Sequence, residues 1–505
     1  MSSRLWSLAR GAAFGRLMAL LIIAPAALAS SAASARPAPD SFADLAEKLL
    51  PSVVNISTTQ TMKSERGREH AGPEMPQFPP GSPFEEFFRD FFDHGMPKSG
   101  RPEAQPRKAT SLGSGFIVDP AGYVVTNNHV IGDADEITVI LHDDTNLKAE
   151  LVGRDTKTDI ALLKVRSDKP LSAVSWGDSD AARVGDWVLA IGNPFGLGGS
   201  VTAGILSARQ RDINSGPYDD YLQTDASINR GNSGGPMFNT DGQVIGITTA
   251  IYSPTGGSIG IGFAIPAALA AGVVEELKSE SDHTVHRGWL GVRIQAVTDE
   301  IAESLGLDKA RGALVAGVTP QGPAAAAGVL PGDVVLTFNR KRVDDMRHLP
   351  RLVAETPVGR TVAVTLWRKR VEQTVEVKIA RLEESDVKPA VAREVQPKGP
   401  PGDAAMVKTL GLTLAGITPD LKAKFSLADT AKGVVVVEVA RDSVAAAKGL
   451  RPGDLITEAA QAEVKNPDEV AKEVADAKKF GHKSILLLVD RQGDLRYVAL
   501  GLDQG

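Results

Sequence analysis

The chain has 505 residues, enough for about three domains at roughly 150 residues each. A composition of 42% hydrophobic and 23% charged residues excludes a wholly disordered or collagen-like chain, and 56 basic against 62 acidic side chains, a formal charge of −6, offers no electrostatic footprint for nucleic acid. Cysteine is absent, which excludes disulfide frameworks, thiolate metal sites, iron–sulfur clusters and a cysteine nucleophile.

Aromatic residues are sparse at 5%, while 50 Gly and 31 Pro point to many turns and to β-structure over long helical bundles. At the N-terminus, Arg4, Arg10 and Arg16 precede an apolar run from Leu17 to Leu28, followed by Ala27-Leu28-Ala29 and Ala33-Ser34-Ala35. These are the three regions of a secretory signal peptide, expected over residues 1–35 and cut after Ala29 or Ala35. The apolar run is about a dozen residues, short of the roughly 20 that span a bilayer, and it contains Pro25; an uncleaved anchor is the alternative. Its removal takes three arginines and no acid, so −6 becomes −9. The expected product is an exported, acidic, soluble protein with no stable membrane span.

Ser41 to Thr58 reads as a short helix running into the strand Val53-Val54-Asn55-Ile56. Asn55-Ile56-Ser57 matches a glycosylation sequon, a single match best explained by chance. From about residue 59 to 110 the chain is polar and Pro-rich, a loop insertion, yet Phe84, Phe87, Phe88, Phe91 and Phe92 fall within nine residues. That cluster reads either as a short helix folded onto its own domain or as an intersubunit contact.

Leu112 to about Ile265 alternates short β-patterned segments with turns: Gly115 to Val118, Tyr123 to Thr126, Ile137 to Leu141, Ile160 to Val165, Trp187 to Ile191, Val201 to Leu206 and Val244 to Thr248. Many short strands at this spacing predict an all-β barrel or sandwich domain. Pro266 to Ser279 then predicts a helix with Leu269, Val273, Val274 and Leu277 on one face. Further on, Gly328-Val329-Leu330-Pro331-Gly332-Asp333 recurs as Gly449-Leu450-Arg451-Pro452-Gly453-Asp454, each copy after an apolar strand and an Ala-rich stretch. The period is domain-sized, so two small related domains follow the β domain. The composition between them, rich in Pro, Gly and charge, is that of a linker.

The segment Gly231-Asn232-Ser233-Gly234-Gly235-Pro236 is the most specific in the chain. A serine flanked so densely by glycine fits a tight turn that presents the hydroxyl and leaves backbone N–H groups available, as an acyl-transfer nucleophile and its oxyanion hole require. Partners of the right type precede it: His129 directly after a predicted strand, and Asp159 at the start of another. Any one of the three could be a capped turn or a satisfied core residue; together, in the order His, Asp, Ser, they form a nucleophilic constellation.

These residues carry a resemblance to the Do-like, or high-temperature-requirement, secreted serine proteases. The similar segments are Thr126 to Val130, Thr158 to Leu163, Leu222 to Pro236 and Gly257 to Pro266, and the likeness extends over almost the whole mature chain. It implies a mainly β fold: a chymotrypsin-like double β-barrel protease domain over residues 36–280, two PDZ domains at 285–382 and 405–503, and a linker at 383–404. His129 is then the general base, Asp159 its orienting partner and Ser233 the nucleophile. Gly231 and Ser233 supply oxyanion donors, with Asn232 between them at the substrate-binding turn. Asn232 stands where digestive relatives carry an Asp that pairs with a newly cut N-terminus, so activation is expected from loop rearrangement instead. The specificity pocket falls on Ser227, Ile228, Ile259, Gly260 and Ile261; without a buried carboxylate it favours small or medium aliphatic residues over Lys or Arg.

Leu290, Gly291 and Val292 resemble the carboxylate-binding loop of a PDZ domain, and Leu410-Gly411-Leu412 is a weaker counterpart in the second copy. The resemblance implies an ATP-independent serine endopeptidase of envelope quality control in the periplasm. It also implies a homotrimer that builds larger cages, unfolded proteins and C-terminal peptides as partners, room for a chaperone activity, and neither metal nor organic cofactor. The rival readings are a PDZ-based holdase with a latent protease domain, and a regulatory protease with one dedicated membrane-signalling substrate.

Overall fold

The computed structural model describes residues 39–62, 107–192, 199–229, 231–254, 257–279, 282–383, 405–407 and 410–502. The expected signal peptide, the Phe84 to Phe92 cluster and residues 384–404 of the expected linker lie outside them. Among the described residues no helix is long and apolar enough to cross a membrane.

A short helix, Ala43–Leu49, leads into the first of two closed barrels. The first is built from β1 (Val53–Met62), β2 (Arg107–Asp119), β3 (Tyr123–Asn127), β4 (Glu136–Ile140), β5 (Asn146–Asp155) and β6 (Ile160–Val165), in the order β1-β2-β3-β6-β5-β4 with β4 returning to β1. The second takes β7 (Trp187–Gly192), β8 (Ser200–Arg211), β9 (Tyr221–Thr224), β10 (Pro236–Phe238), β11 (Val244–Ile251) and β12 (Gly262–Pro266), in the order β10-β11-β12-β9-β8-β7. Closure pairs each strand on both sides, which removes the exposed edges an open sheet would have to protect. β1 and β2 pair from Val53 opposite Phe116 to Met62 opposite Arg107, so the strands take both ends of the expected insertion and leave residues 63–106 between them.

Side-chain pattern follows position. β4 alternates, with Ile137 and Val139 inward, whereas the run Ile160-Ala161-Leu162-Leu163 of β6 is buried at every residue: Ala161 and Leu163 join the barrel core, Leu162 lies on the opposite face, and the helix Ala267–Ser279 packs against this strand. The segment 174–177 joins the barrels: Val174 donates to the Ile117 carbonyl in the first, Gly177 to that of Val244 in the second, and Trp176 packs edge-on against Phe116 at 5.5 Å. The predicted helix forms as Ala267–Ser279, one residue late because Pro266 still pairs with Gly246 in β12. Ala270 takes the place expected for Leu269 on its buried face, and Leu269 turns to the seam with the next domain.

Two PDZ-like sheets follow. The first comprises β14 (Val292–Ala296), β15 (Ala313–Val318), β16 (Val334–Phe338), β17 (Lys341–Arg342), β18 (Thr361–Arg368) and β19 (Val371–Lys378), with β13 (Gly288–Trp289) and β20 (Ala380–Arg381) paired separately. The second comprises β21 (Ala405–Val407), β22 (Leu412–Gly416), β23 (Val434–Val439), β24 (Leu455–Ala459), β25 (Ala462–Glu463), β26 (Ser484–Arg491) and β27 (Asp494–Gly501). The repeated Gly-Asp motif does the same work in both. Asp333 and Asp454 are buried, and each takes a bidentate arginine, Arg368 at 2.5 and 2.6 Å and Arg491 at 2.6 and 2.7 Å. The same guanidinium groups donate to the Gly328 and Gly449 carbonyls, locking the start of each motif to its end.

The domains are joined through specific contacts. The helix His348–Ala354 of the first PDZ-like domain reaches the loop between β8 and β9, where Arg351 pairs with Asp220 at 2.9 Å and Arg347 with Asp212. The outer face of the first PDZ-like sheet, with the helix Asp299–Leu305, packs on the second: Ile301 and Leu305 of the helix and Leu314, Val334 and Leu336 of the sheet share one apolar cluster with Leu486, Leu488, Tyr497 and Ala499. Gln295 pairs with both backbone groups of Tyr497, at 2.7 and 2.9 Å.

Candidate active site

The site lies where the two barrels meet. His129 stands on a single helical turn, Asn128–Ile131, directly after β3, and Asp159 stands just before β6, which pairs with β3 through Asn127 opposite Ile160. Pairing of these strand ends brings the two side chains together: His129 Nδ1 is 2.6 Å from Asp159 Oδ2, and the His129 backbone N–H donates to Oδ1 at 2.9 Å. An Nδ1–H donated to a carboxylate leaves Nε2 with its lone pair, the tautomer a general base requires. Asp159 holds a left-handed backbone, φ +57°, and its carbonyl accepts from the Asn128 N–H at 3.1 Å and the Asn127 amide at 2.8 Å.

Ser233 belongs to the turn between β9 and β10. Asn232 donates to the Asn229 carbonyl at 3.0 Å with Gly231 third in that turn at φ +95°, a position that favours glycine. Gly234, at φ +86°, has no room for a side chain: a Cβ would meet the Ser114 carbonyl at 2.2 Å and Thr126 Oγ1 at 2.3 Å. The N–H groups of Asn232, Gly234 and Gly235 are committed to the carbonyls of Asn229, Thr248 and Asn232. The Thr248 hydroxyl bonds the carbonyls of Asn232 and Gly235 at 2.6 and 3.0 Å, and the Ser233 hydroxyl donates to the Thr249 carbonyl at 3.3 Å.

Residues outside the predicted set tie the halves together. The Asn127 side-chain amide donates to the Asp159 carbonyl and, at 3.1 Å, to the hydroxyl of Thr249, whose carbonyl holds Ser233. From the first barrel, the Ser114 N–H donates to the Ser233 carbonyl at 2.9 Å and its hydroxyl to the Gly231 carbonyl at 2.5 Å. A Gly-Ser-Gly triplet inside a strand, residues 113–115, was the available signal: a Cβ on Gly113 would stand 2.5 Å from Val130, and one on Gly115 2.9 Å from the Val125 carbonyl. A further brace comes from outside the barrels. Asp155, buried at the end of β5, accepts from the Thr158 hydroxyl within the turn that delivers Asp159, and it is paired with buried Arg287, whose guanidinium also lies 4.9 Å over the Tyr218 ring.

Of the residues expected to form the specificity pocket, Ile228 is buried against Gly262, with its Cγ1 2.8 Å from where a Cβ would be. Ser227 is exposed, Ile259 is 52% exposed, and Gly260 and Ile261 are half-buried. The two segments are joined by the Ser258 N–H, which donates to Asn229 Oδ1 at 3.1 Å. Leu290 is buried in the core of the first PDZ-like domain, and Gly291 has φ +77° ahead of Val292, the first residue of β14.

Comparison with known proteins agrees with this geometry. Residues 113–247 match the family model of the trypsin-like peptidase domain, and residues 288–379 that of the PDZ domain. A "Probable periplasmic serine endoprotease DegP-like" of Rhizobium meliloti (strain 1021) is 44% identical over 95% of this chain and 96% of its own length. One of the same description from Brucella suis biovar 1 (strain 1330) is 43% identical over 92% of this chain and 90% of its own. Among solved structures, "HtrA-type protease AlgW with decapeptide" aligns with a TM-score of 0.53 and 40% identity, covering 68% of this chain and 99% of that one. The same protease with a tripeptide gives 0.53 and 39%. With the His129–Asp159 pair and the Ser233 turn in place on a double barrel, the chain belongs to the DegP-like, HtrA-type family of serine endoproteases.

Proposed function

We propose that the chain degrades unfolded or misassembled exported proteins in the periplasm without ATP, using His129, Asp159 and Ser233 as its triad. The observation that carries the reading is the buried His129–Asp159 hydrogen bond of 2.6 Å, tied through Asn127 and Thr249 to the turn of Ser233. Ser233 Oγ forms the new bond to the scissile carbonyl carbon while its proton passes to His129 Nε2. Asp159 stabilises the imidazolium that results. The N–H groups of Gly231 and Ser233 receive the oxyanion, each worth about 3 kcal/mol in the transition state. Collapse of the tetrahedral intermediate breaks the C–N bond as His129 returns the proton to the leaving amine. Water then repeats the sequence on the acyl-enzyme.

Ile228 supplies the apolar wall for a small or medium aliphatic residue before the cut bond, with Ser227, Ile259, Gly260 and Ile261 around the same entrance. Asn232 offers no carboxylate to a new N-terminus, so loop rearrangement governs activation. Peptides bind at Leu290, Gly291 and Val292 of the first PDZ domain by adding a strand beside β14. The domain limits 36–280, 285–382 and 405–503, the cleaved leader, a trimeric building block, larger cages and a chaperone activity complete the reading.

Its test is degradation of a reduced, unfolded model protein by the purified mature chain beside Ser233→Ala, with cut sites read by mass spectrometry. Cutting after Val or Ala that disappears in Ser233→Ala supports the mechanism and the pocket. No cutting by the unsubstituted chain, even with C-terminal peptides added, overturns the protease reading in favour of a holdase.

A further inference from the structure

The two PDZ-like domains carry the same loop ahead of the same strand. Leu290 and Leu410 are both buried, and Gly291 and Gly411 both have positive φ, +77° and +67°. Each glycine carbonyl accepts an N–H from across the loop, Thr319 at 2.9 Å and Ala440 at 2.8 Å. β14 and β22 then bulge at corresponding points, between Arg293 and Ile294 and between Thr413 and Leu414. A groove of the kind that adds a peptide strand with its carboxylate at the loop is therefore built twice.

The outer edges differ. Among the described residues β14 is the end strand of its sheet, but β22 is followed outward by β21, with Ala405 opposite Leu414, Met406 opposite Thr413 and Val407 opposite Leu412. β21 is antiparallel to β22, as an added peptide ligand would be, and it runs toward the loop, so Val407 stands beside Leu412 where a ligand's last residue would stand. It also lies against the helix Pro467–Lys479, the counterpart of His348–Ala354 in the first domain, and so occupies the space between strand and helix. It is three residues long, and the chain leading to it has linker composition.

We propose that Ala405–Val407 is an internal ligand of the second PDZ domain, filling its peptide groove in the polarity of a C-terminal peptide. Outside peptides with apolar C-termini then bind in the first groove, and the second takes the same class of ligand only when β21 is displaced. Only residues 408–411 separate β21 from β22, and a ligand on so short a tether acts at an effective concentration of mM order, so a micromolar peptide competes poorly with it. The proposal rests on the peptide-binding reading of the PDZ domains and not on the chemistry of Ser233, so it is tested in a chain that cannot cut.

Fluorescein-labelled decapeptides with free C-terminal Val, Ala, Leu or Phe are titrated against full-length Ser233→Ala and against the same chain carrying Met406→Pro, since proline disfavours a paired strand. One site per protomer is expected in the parent, lost with Gly291→Val, and two with Met406→Pro, the second lost with Gly411→Val. Hydrogen exchange in β26 reports whether the second domain stays folded. If Met406→Pro loosens β26, the chain carrying Ala405→Gly, Met406→Gly and Val407→Gly is read in its place with the same criteria. Two sites in the parent, or no site gained when β21 is disrupted, overturns the proposal.

Discussion

Asp159 meets His129 from a left-handed backbone, and Asp is among the few residues besides glycine that adopt this conformation with little cost. The residue therefore serves geometry twice, through its φ and through both carboxylate oxygens. Asp159→Asn should keep the fold, because Asn tolerates the same backbone, and lower kcat by about 10⁴-fold, because its NH₂ facing Nδ1 selects the wrong tautomer. Circular dichroism with kcat on a peptide substrate checks both halves, and a melting temperature that falls with the activity would argue against the tautomer account. The residues of the proposed triad stand out in the sequence because chemistry restricts which residue types can act and because glycines surround Ser233. Ser114, Asn127 and Thr249 do not, since a Ser, Asn or Thr in a β-rich segment is ordinary until strand pairing shows what it faces.

Two strands of the barrels show no clear period in the sequence, β5 because a bulge between Leu151 and Gly153 breaks its alternation. β5 carries Asn146, Lys148, Glu150 and Arg154 outward, and the four residues of β9 are too few to display a period. Between β8 and β9 the loop owes its shape to Asp219, which accepts the N–H groups of Ile213 and Ser215 and the Ser215 hydroxyl at 2.6 to 3.0 Å. Those bonds favour the ionised form, but burial outweighs them and pushes its carboxyl up to about 6. In the unfolded chain it titrates near 3.9. Between the two values the folded state binds more protons, so this group's contribution to stability is full below about 4 and is lost as pH rises through about 6, roughly 3 kcal/mol in all. Asp219→Asn should flatten the melting temperature against pH over that window and raise it at pH 7; an unchanged slope would place the titration elsewhere.

A second element-scale link runs from the segment leading into the first PDZ domain to the turn that delivers Asp159. Arg287 is tied to that turn through Asp155, which also accepts the Thr158 hydroxyl. Removing one partner of a buried pair strands the other, at about 3 to 5 kcal/mol. Arg287→Ala should thus lower stability and cut kcat by up to about 10²-fold with KM little changed, as a small misplacement does. Adding Asp155→Asn should restore the stability by removing the stranded charge. A fall in KM-dependent binding with kcat intact would instead assign Arg287 to peptide capture.

At the scale of the whole molecule, the informative pattern is apolar residues that do not alternate. In β15 every residue from Ala313 to Gly317 is buried, and in β26 every residue from Ser484 to Val489. A sheet with one wet face alternates, so these strands announce a cover on both faces. They do not say what provides it, because a run of Val and Leu carries no address. The structure supplies the answer: Ala313 and Val315 face their own domain's core, while Leu314 joins Val334 and Leu336 in the cluster with Leu486, Leu488, Tyr497 and Ala499 of the second PDZ domain. A chain ended after residue 383 should therefore keep the triad and its cleavage chemistry but expose this face, bind 1-anilinonaphthalene-8-sulfonate and self-associate. Leu314→Thr with Leu336→Thr, which introduces polar residues that still favour a strand, should suppress both effects in the shortened chain and destabilise the full one by about 2 kcal/mol or more per site. Sedimentation velocity of the four chains decides it: a shortened chain that stays dispersed and dye-silent without the threonines would mean that the two domains do not depend on each other for this cover.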